Sequence, residues 1–184
     1  MLRPFVSCLA VVALLAPAIT RAQTVDLSGT WRLDEERSRV RVEATLAGLM
    51  GAGAPQTLHI AQPSNGTLVV ESQINESYAR LYVPGEKTST PIFLGEPGSI
   101  TMTSRWEGRA LVSEGTRKSP SSTVNVREVF GLSEDGQILE VEITLERANG
   151  DVESTLRYTR IRDVGPCESW PTPCKDPTRP RQQD

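Results

Sequence analysis

Histidine is nearly missing from this chain. One residue, His59, stands among 184, so a histidine-built metal cage lacks ligands and a Ser-His-Asp relay would depend on a single imidazole. In the run Thr57-Leu58-His59-Ile60, strand alternation sets His59 on the face opposite Leu58 and Ile60, an outward position. The sequence also lacks a G-x-S-x-G elbow, a P-loop, a Rossmann glycine pattern and H-E-x-x-H. No catalytic residue, cofactor or metal site is expected, and the reading is of a protein that is not an enzyme. A basic excess is missing too: 20 Lys and Arg face 23 Asp and Glu, a net charge of −3, which gives no field to neutralise a phosphate backbone. Nucleic acid is therefore not an expected partner. Aromatic residues, at 5%, support neither an aromatic-lined pocket nor a large aromatic interface.

Apolar runs long enough to cross a bilayer are also lacking. The longest, Phe5 to Ala16, falls well short of the roughly 20 residues a membrane-spanning helix needs. Arg3 before it, then Pro17 and the small-residue stretch Thr20-Arg21-Ala22, complete the pattern of a secretory signal peptide over residues 1–22. Export to a periplasm or the medium is expected, with no stable membrane anchor. Cys8 lies inside the run rather than after it, so it does not read as a lipid-attachment site. Cleavage would leave Cys167 and Cys174, an even pair in an exported chain and hence an expected disulfide. These cysteines sit in a tail, residues 164–184, where Pro166, Pro171, Pro173, Pro177 and Pro180 exclude a regular ladder or helix. Residues 23–163 remain as one domain.

What that domain has in quantity is short runs of β-branched and aliphatic residues between turn residues. Nine candidate strands follow: Thr30 to Leu33, Thr57 to Gln62, Thr67 to Ile74, Tyr78 to Val83, Ser99 to Trp106, Arg109 to Glu114, Thr123 to Leu132, Ile138 to Leu145 and Val152 to Ile161. Asn65-Gly66, Pro84-Gly85, Glu107-Gly108, Asp135-Gly136 and Asn149-Gly150-Asp151 have the chemistry of tight hairpin turns, so sequence neighbours should be sheet neighbours. Alternation is cleanest where Leu139, Val141, Ile143 and Leu145 interleave with Glu140, Glu142, Thr144 and Glu146, one buried face against one wet face. Between the first two strands, Asp34 or Ser38 can cap a helix that places Val42, Leu46, Leu49 and Met50 on one apolar face. The Gly51-Ala52-Gly53-Ala54-Pro55 stretch ends it. The fold class expected is all-β, an antiparallel up-and-down barrel of about eight to ten strands with a short helix between the first two.

Three segments carry a family resemblance. Gly29-Thr30-Trp31 resembles the Gly-x-Trp that opens lipocalin and fatty-acid-binding (calycin-type) barrels. Trp106-Glu107-Gly108-Arg109-Ala110-Leu111 resembles a strand–turn–strand segment of the intracellular lipid-binding barrels, and Thr155 to Arg160 resembles a last barrel strand whose Arg stacks on the first-strand Trp. Leu27-Ser28-Gly29-Thr30-Trp31, with the later Leu132-Ser133-Glu134-Asp135-Gly136, is also similar to a group of exported bacterial proteins whose role is not established. The resemblance implies structural roles for Trp31, Arg160 and Trp106. It further implies a barrel able to hold one small hydrophobic or amphipathic ligand. Leu68, Val70, Ser72, Met102, Ser104, Val126, Phe130, Val141 and Ile143 are the candidate lining residues, each of which fits plain core equally well. The alternative is a cell-envelope protein–protein interaction module with a filled barrel; the sequence names no protein partner. Internal volume separates the two.

Overall fold

The computed structural model describes residues 25–47, 53–63, 66–72, 79–92 and 97–162. The expected signal peptide, the Pro-rich tail and the Cys167–Cys174 pair lie outside these residues. Ten strands are formed: β1 (Gly29–Leu33), β2 (Thr57–Ala61), β3 (Leu68–Ser72), β4 (Ala79–Tyr82), β5 (Lys87–Pro91), β6 (Ser99–Glu107), β7 (Ala110–Ser119), β8 (Ser122–Leu132), β9 (Ile138–Glu146) and β10 (Val152–Arg162). They make one antiparallel sheet in the order β4-β3-β2-β1-β10-β9-β8-β7-β6-β5. First and last strands are ladder partners, so the sheet curls into a nearly closed barrel whose two free edges, β4 and β5, meet at a seam.

The long strands follow from their alternation. On β9, Leu139, Val141, Ile143 and Leu145 are buried, while Glu142 and Glu146 are exposed. Burying one apolar face at about 25 cal/mol per Å² holds the register, because a one-residue slip would turn every leucine to water and every glutamate inward. Between β8 and β9 the turn is fixed by Asp135, whose carboxylate accepts from Ser133 Oγ at 2.6 Å and Gln137 N at 3.0 Å. Those two donors hold the Asp135 carboxyl below its ordinary range, the serine hydroxyl contributing most. Gly136 follows with φ of 71°, a conformation side chains disfavour.

Three expectations need correction. Pro84-Gly85 does not close a hairpin: β4 and β5 stand at opposite ends of the sheet order, and the turn instead crosses to β6, where Gly85 N donates to Ser104 O at 2.8 Å. β5 is not among the nine candidate strands because Lys-Thr-Ser-Thr-Pro has no apolar alternation, and it brings the count to the upper end of the expected eight to ten; it pairs with β6 alone and buries only Thr90. The helix α1 (Val42–Ala47) begins later than its predicted caps. Asp34 and Ser38 serve a turn: Arg37 N donates to Asp34 Oδ1 at 3.1 Å and Ser38 Oγ to Asp34 O at 2.6 Å. Arg39 then bridges to Thr155 on β10, which pulls the chain straight until residue 41. The shift rotates the helix, so Ala44 and Thr45 are buried and Val42 is 61% exposed. Ala44 joins the main core, and Ser154 of β10 binds the Arg41 backbone at 2.7 and 3.0 Å, anchoring the segment across one end of the barrel.

Closure of β1 on β10 centres on Trp31, which is fully buried and lies under the Arg160 guanidinium, 4.2 Å from ring centroid to Cζ. Trp31 Nε1 donates to Leu27 O at 3.1 Å; Arg160 donates from Nη1 to Ser28 O at 2.7 Å and from Nε to Gly136 O at 3.0 Å. Gly29 is what makes room. A β-carbon there would stand 2.7 Å from Arg160 Nη1, and its φ of 154° is one that side chains rarely adopt. The opening Gly-x-Trp is thus a slot, a ring and a cation in one place, with cation–π attraction of about 0.5–2 kcal/mol.

Candidate functional site

Register places the inward side chains of the long strands in layers. One layer runs across Ser104, Ser113, Glu128, Ile143 and Ser154. Above it lie Trp106, Leu111, Phe130, Val141 and Leu156, and below it Met102, Gly115, Val126, Leu145 and Val152. The middle layer is the polar one. It holds a carboxylate that is 0% exposed, Glu128, between two largely apolar layers.

The counter-charge comes from the opposite wall. Arg80 and Tyr82, at alternate positions on the edge strand β4, both point inward. Arg80 Nη1 donates to Glu128 Oε1 at 2.8 Å, and Tyr82 OH donates to Glu128 Oε2 at 2.8 Å. Arg80 Nη1 also reaches Tyr82 OH at 3.3 Å, and the Tyr82 ring meets Phe130 edge-on with centroids 5.2 Å apart. Burial pushes the Tyr82 hydroxyl well above the ordinary phenol range; nearby Arg80 opposes that shift, and Glu128 adds to it. Beside Glu128 in the ladder, Ser113 Oγ and Ser104 Oγ are hydrogen-bonded at 2.9 Å, both buried. A buried ion pair costs desolvation that its attraction barely offsets, so its presence inside a barrel is not explained by stability alone.

Of the candidate lining residues, Leu68, Val70, Phe130, Val141 and Ile143 are 0% exposed, with Ser104 at 1% and Val126 and Met102 at 2%. A side chain without accessible surface borders no space wide enough for water, so around these residues the barrel is packed with side chains. All but Met102 and the two serines belong to the main apolar cluster; Met102 packs with Ile92 and Ile100 instead. Ser72 sits opposite Leu58 in the ladder, and its side chain is outside the described residues. Trp106 packs at the rim of the main cluster, its indole N–H buried with no acceptor among the described residues.

His59 is half-buried on the outer face, its Nδ1 3.2 Å from Thr30 Oγ1. Among the described residues no group of three or more His, Cys, Asp or Glu could hold a metal. A half-open groove of about 430 Å³ lies outside the barrel, between the turn at Asp34 and Arg37 and the β8–β9 hairpin at Leu132 and Ile138. Glu140 and Arg157 in its wall neutralise each other at 2.6 Å.

The residues that sequence reasoning missed are Arg80, Tyr82 and Glu128. Glu128 could have been found: Val126 and Phe130 flank it at strand period, so an inward Val-x-Glu-x-Phe was there to read. On β4 the signal misleads, because Ala79, Leu81 and Val83 offer the more apolar face, yet Arg80 and Tyr82 take the inside.

No family model and no curated protein matches the chain. Among solved structures it is similar to a protein described as "REP1-NXSQ fatty acid transporter", at 17% identity and a TM-score of 0.51 over 76% of this chain and 98% of that one. Secretory abundant heat soluble protein 4 from Ramazzottius varieornatus aligns at 15% identity and a TM-score of 0.49, over 74% of this chain and 95% of that one. The first likeness extends to the fold alone: ten strands curled into a nearly closed, lipocalin-like β-barrel.

Proposed function

We propose that this is an exported, non-enzymatic carrier that takes one small amphipathic molecule into its barrel. The observation that carries the reading is the Arg80–Glu128–Tyr82 cluster. It is a set of donors and acceptors held in the interior between apolar layers, which suits a ligand with one polar group and an aliphatic body. The barrel neighbour described as a fatty acid transporter supports the same reading, and the N-terminal signal pattern supports export. Binding needs the packed interior to open. The seam supplies a place for that, since β4 is a four-residue edge strand in ladder contact with β3 alone and carries both Arg80 and Tyr82.

A second reading rests on the same 0% exposures: a barrel filled by its own side chains, acting as an interaction module through its outer surface. Native mass spectrometry of the exported protein, recovered from its own periplasm or medium, separates them. The carrier reading expects a co-purifying lipid-like mass, or displacement of a hydrophobic fluorescent probe at micromolar concentration. Finding neither rejects it and leaves the filled module.

A further inference from the structure

Resting on the carrier reading, the geometry points to Glu128 as a specificity-determining residue that makes the interior accept an uncharged polar head, a hydroxyl or ester carbonyl, and reject the free carboxylate of the same aliphatic chain.

Charge in a closed space sets the preference. Arg80 would be the natural partner of an anionic head, but its Nη1 is already 2.8 Å from Glu128 Oε1, with the two side chains 1% and 0% exposed. A ligand carboxylate reaching the guanidinium would bring a second negative charge against Glu128 where water cannot screen either. Displacing Glu128 from Arg80 would strand a carboxylate between the Phe130 and Val126 layers, again without a counter-ion. Tyr82 offers no relief: its hydroxyl is held in the neutral form by burial and is engaged with Glu128 Oε2. On β7 the charged residue at an inward position is Arg117, whose backbone lies four residues along from Ser113 and so roughly 13 Å up the strand from the Glu128 rung at about 3.3 Å per residue.

An uncharged head meets none of these obstacles. A hydroxyl can donate to Glu128, whose carboxylate has lone pairs beyond the two bonds described, and can accept from the Ser104–Ser113 pair, in which one of the two O–H protons is left to give. An ester carbonyl needs only the acceptor half of that arrangement. The site therefore adds hydrogen bonds to such a ligand without adding charge.

The test is calorimetric titration of the exported protein with three ligands of equal chain length: 1-dodecanol, glyceryl monododecanoate and dodecanoate. The alcohol and the glyceride are expected to bind at least about tenfold more tightly than the carboxylate at neutral pH and above. Equal or tighter binding of dodecanoate overturns the inference while leaving the carrier reading intact. Failure of all three to bind overturns both. Glu128→Gln removes the competing charge and is expected to reverse the order in favour of dodecanoate; an unchanged order in a folded variant counts against the inference. Should that variant not fold, the unsubstituted protein still decides through pH. Dodecanoate can enter only as its neutral acid, so its apparent affinity is expected to fall about tenfold per pH unit above the ligand's own pKa, while that of dodecanol stays level. A level profile for dodecanoate overturns the inference.

Discussion

At the scale of single residues, burial decides protonation. Tyr82 and Tyr158 both have hydroxyls raised above the ordinary phenol range, chiefly by desolvation, and each donates a hydrogen bond, Tyr158 to Pro55 O at 3.1 Å. The linkage has a definite sign. In the unfolded chain these phenols ionise near pH 10, whereas in the barrel they stay neutral, so the folded state binds more protons there and stability falls as pH rises beyond that point. Below pH 10 their contribution is fully present. A phenolate absorbance titration is expected to show Tyr82 and Tyr158 silent until the barrel unfolds, with one cooperative step that coincides with loss of circular dichroism. Gradual ionisation of both groups in the folded protein would contradict their placement. How Tyr82 and Tyr158 are buried could not be read from the sequence: a tyrosine in a strand run fits either face, and the register chooses.

Strands and turns show where sequence signals suffice. β8, β9 and β10 were legible because alternation repeats over nine to eleven residues and the turns between them carry Asp135-Gly136 and Asn149-Gly150. β5 was not, since an edge strand with one ladder partner needs no apolar face. α1 lies between the first two strands as expected, but it starts beyond Asp34 and Ser38 because pairing of Arg39 with Thr155, a contact across more than a hundred residues, overrides the local caps. The closure of β1 on β10 was readable as a Gly-x-Trp and a late Arg, and its energetics belong to this scale. Trp31→Ala removes a fully buried ring together with the surface on which Arg160 stacks, and is expected to cost about 3–5 kcal/mol. A urea midpoint that does not move would show that the ring carries no such weight.

On the scale of the whole molecule, the Arg80–Glu128 bond spans the barrel from the seam strand β4 to β8, tying together walls far apart in the sheet order. Breaking it and removing it are different experiments. Glu128→Ala takes from the buried Arg80 guanidinium the carboxylate it meets at 2.8 Å and is expected to cost about 3–5 kcal/mol in chemical denaturation. Replacing both partners, Arg80→Met with Glu128→Leu, fills the same space with apolar atoms and is expected to leave the barrel as stable as before or more so, by up to about 4 kcal/mol. If the double variant is as weak as the single one, the pair is a structural requirement and its role in ligand selection loses its motive.

The barrel class and the turns of the long hairpins lay in the sequence because each depends on contacts within one hairpin or on a local rule of alternation; the Trp31 slot, which joins β1 to β10, lay there only as a Gly-x-Trp and a late Arg. The candidate site did not. Arg80 and Glu128 are 48 positions apart and meet only because a ten-stranded sheet curls until its fourth strand faces its eighth. Local preference could assign an arginine on β4 to solvent at no cost. What turned it inward was the closing of the sheet, which buries whatever the register presents and leaves a charge there stable only opposite another.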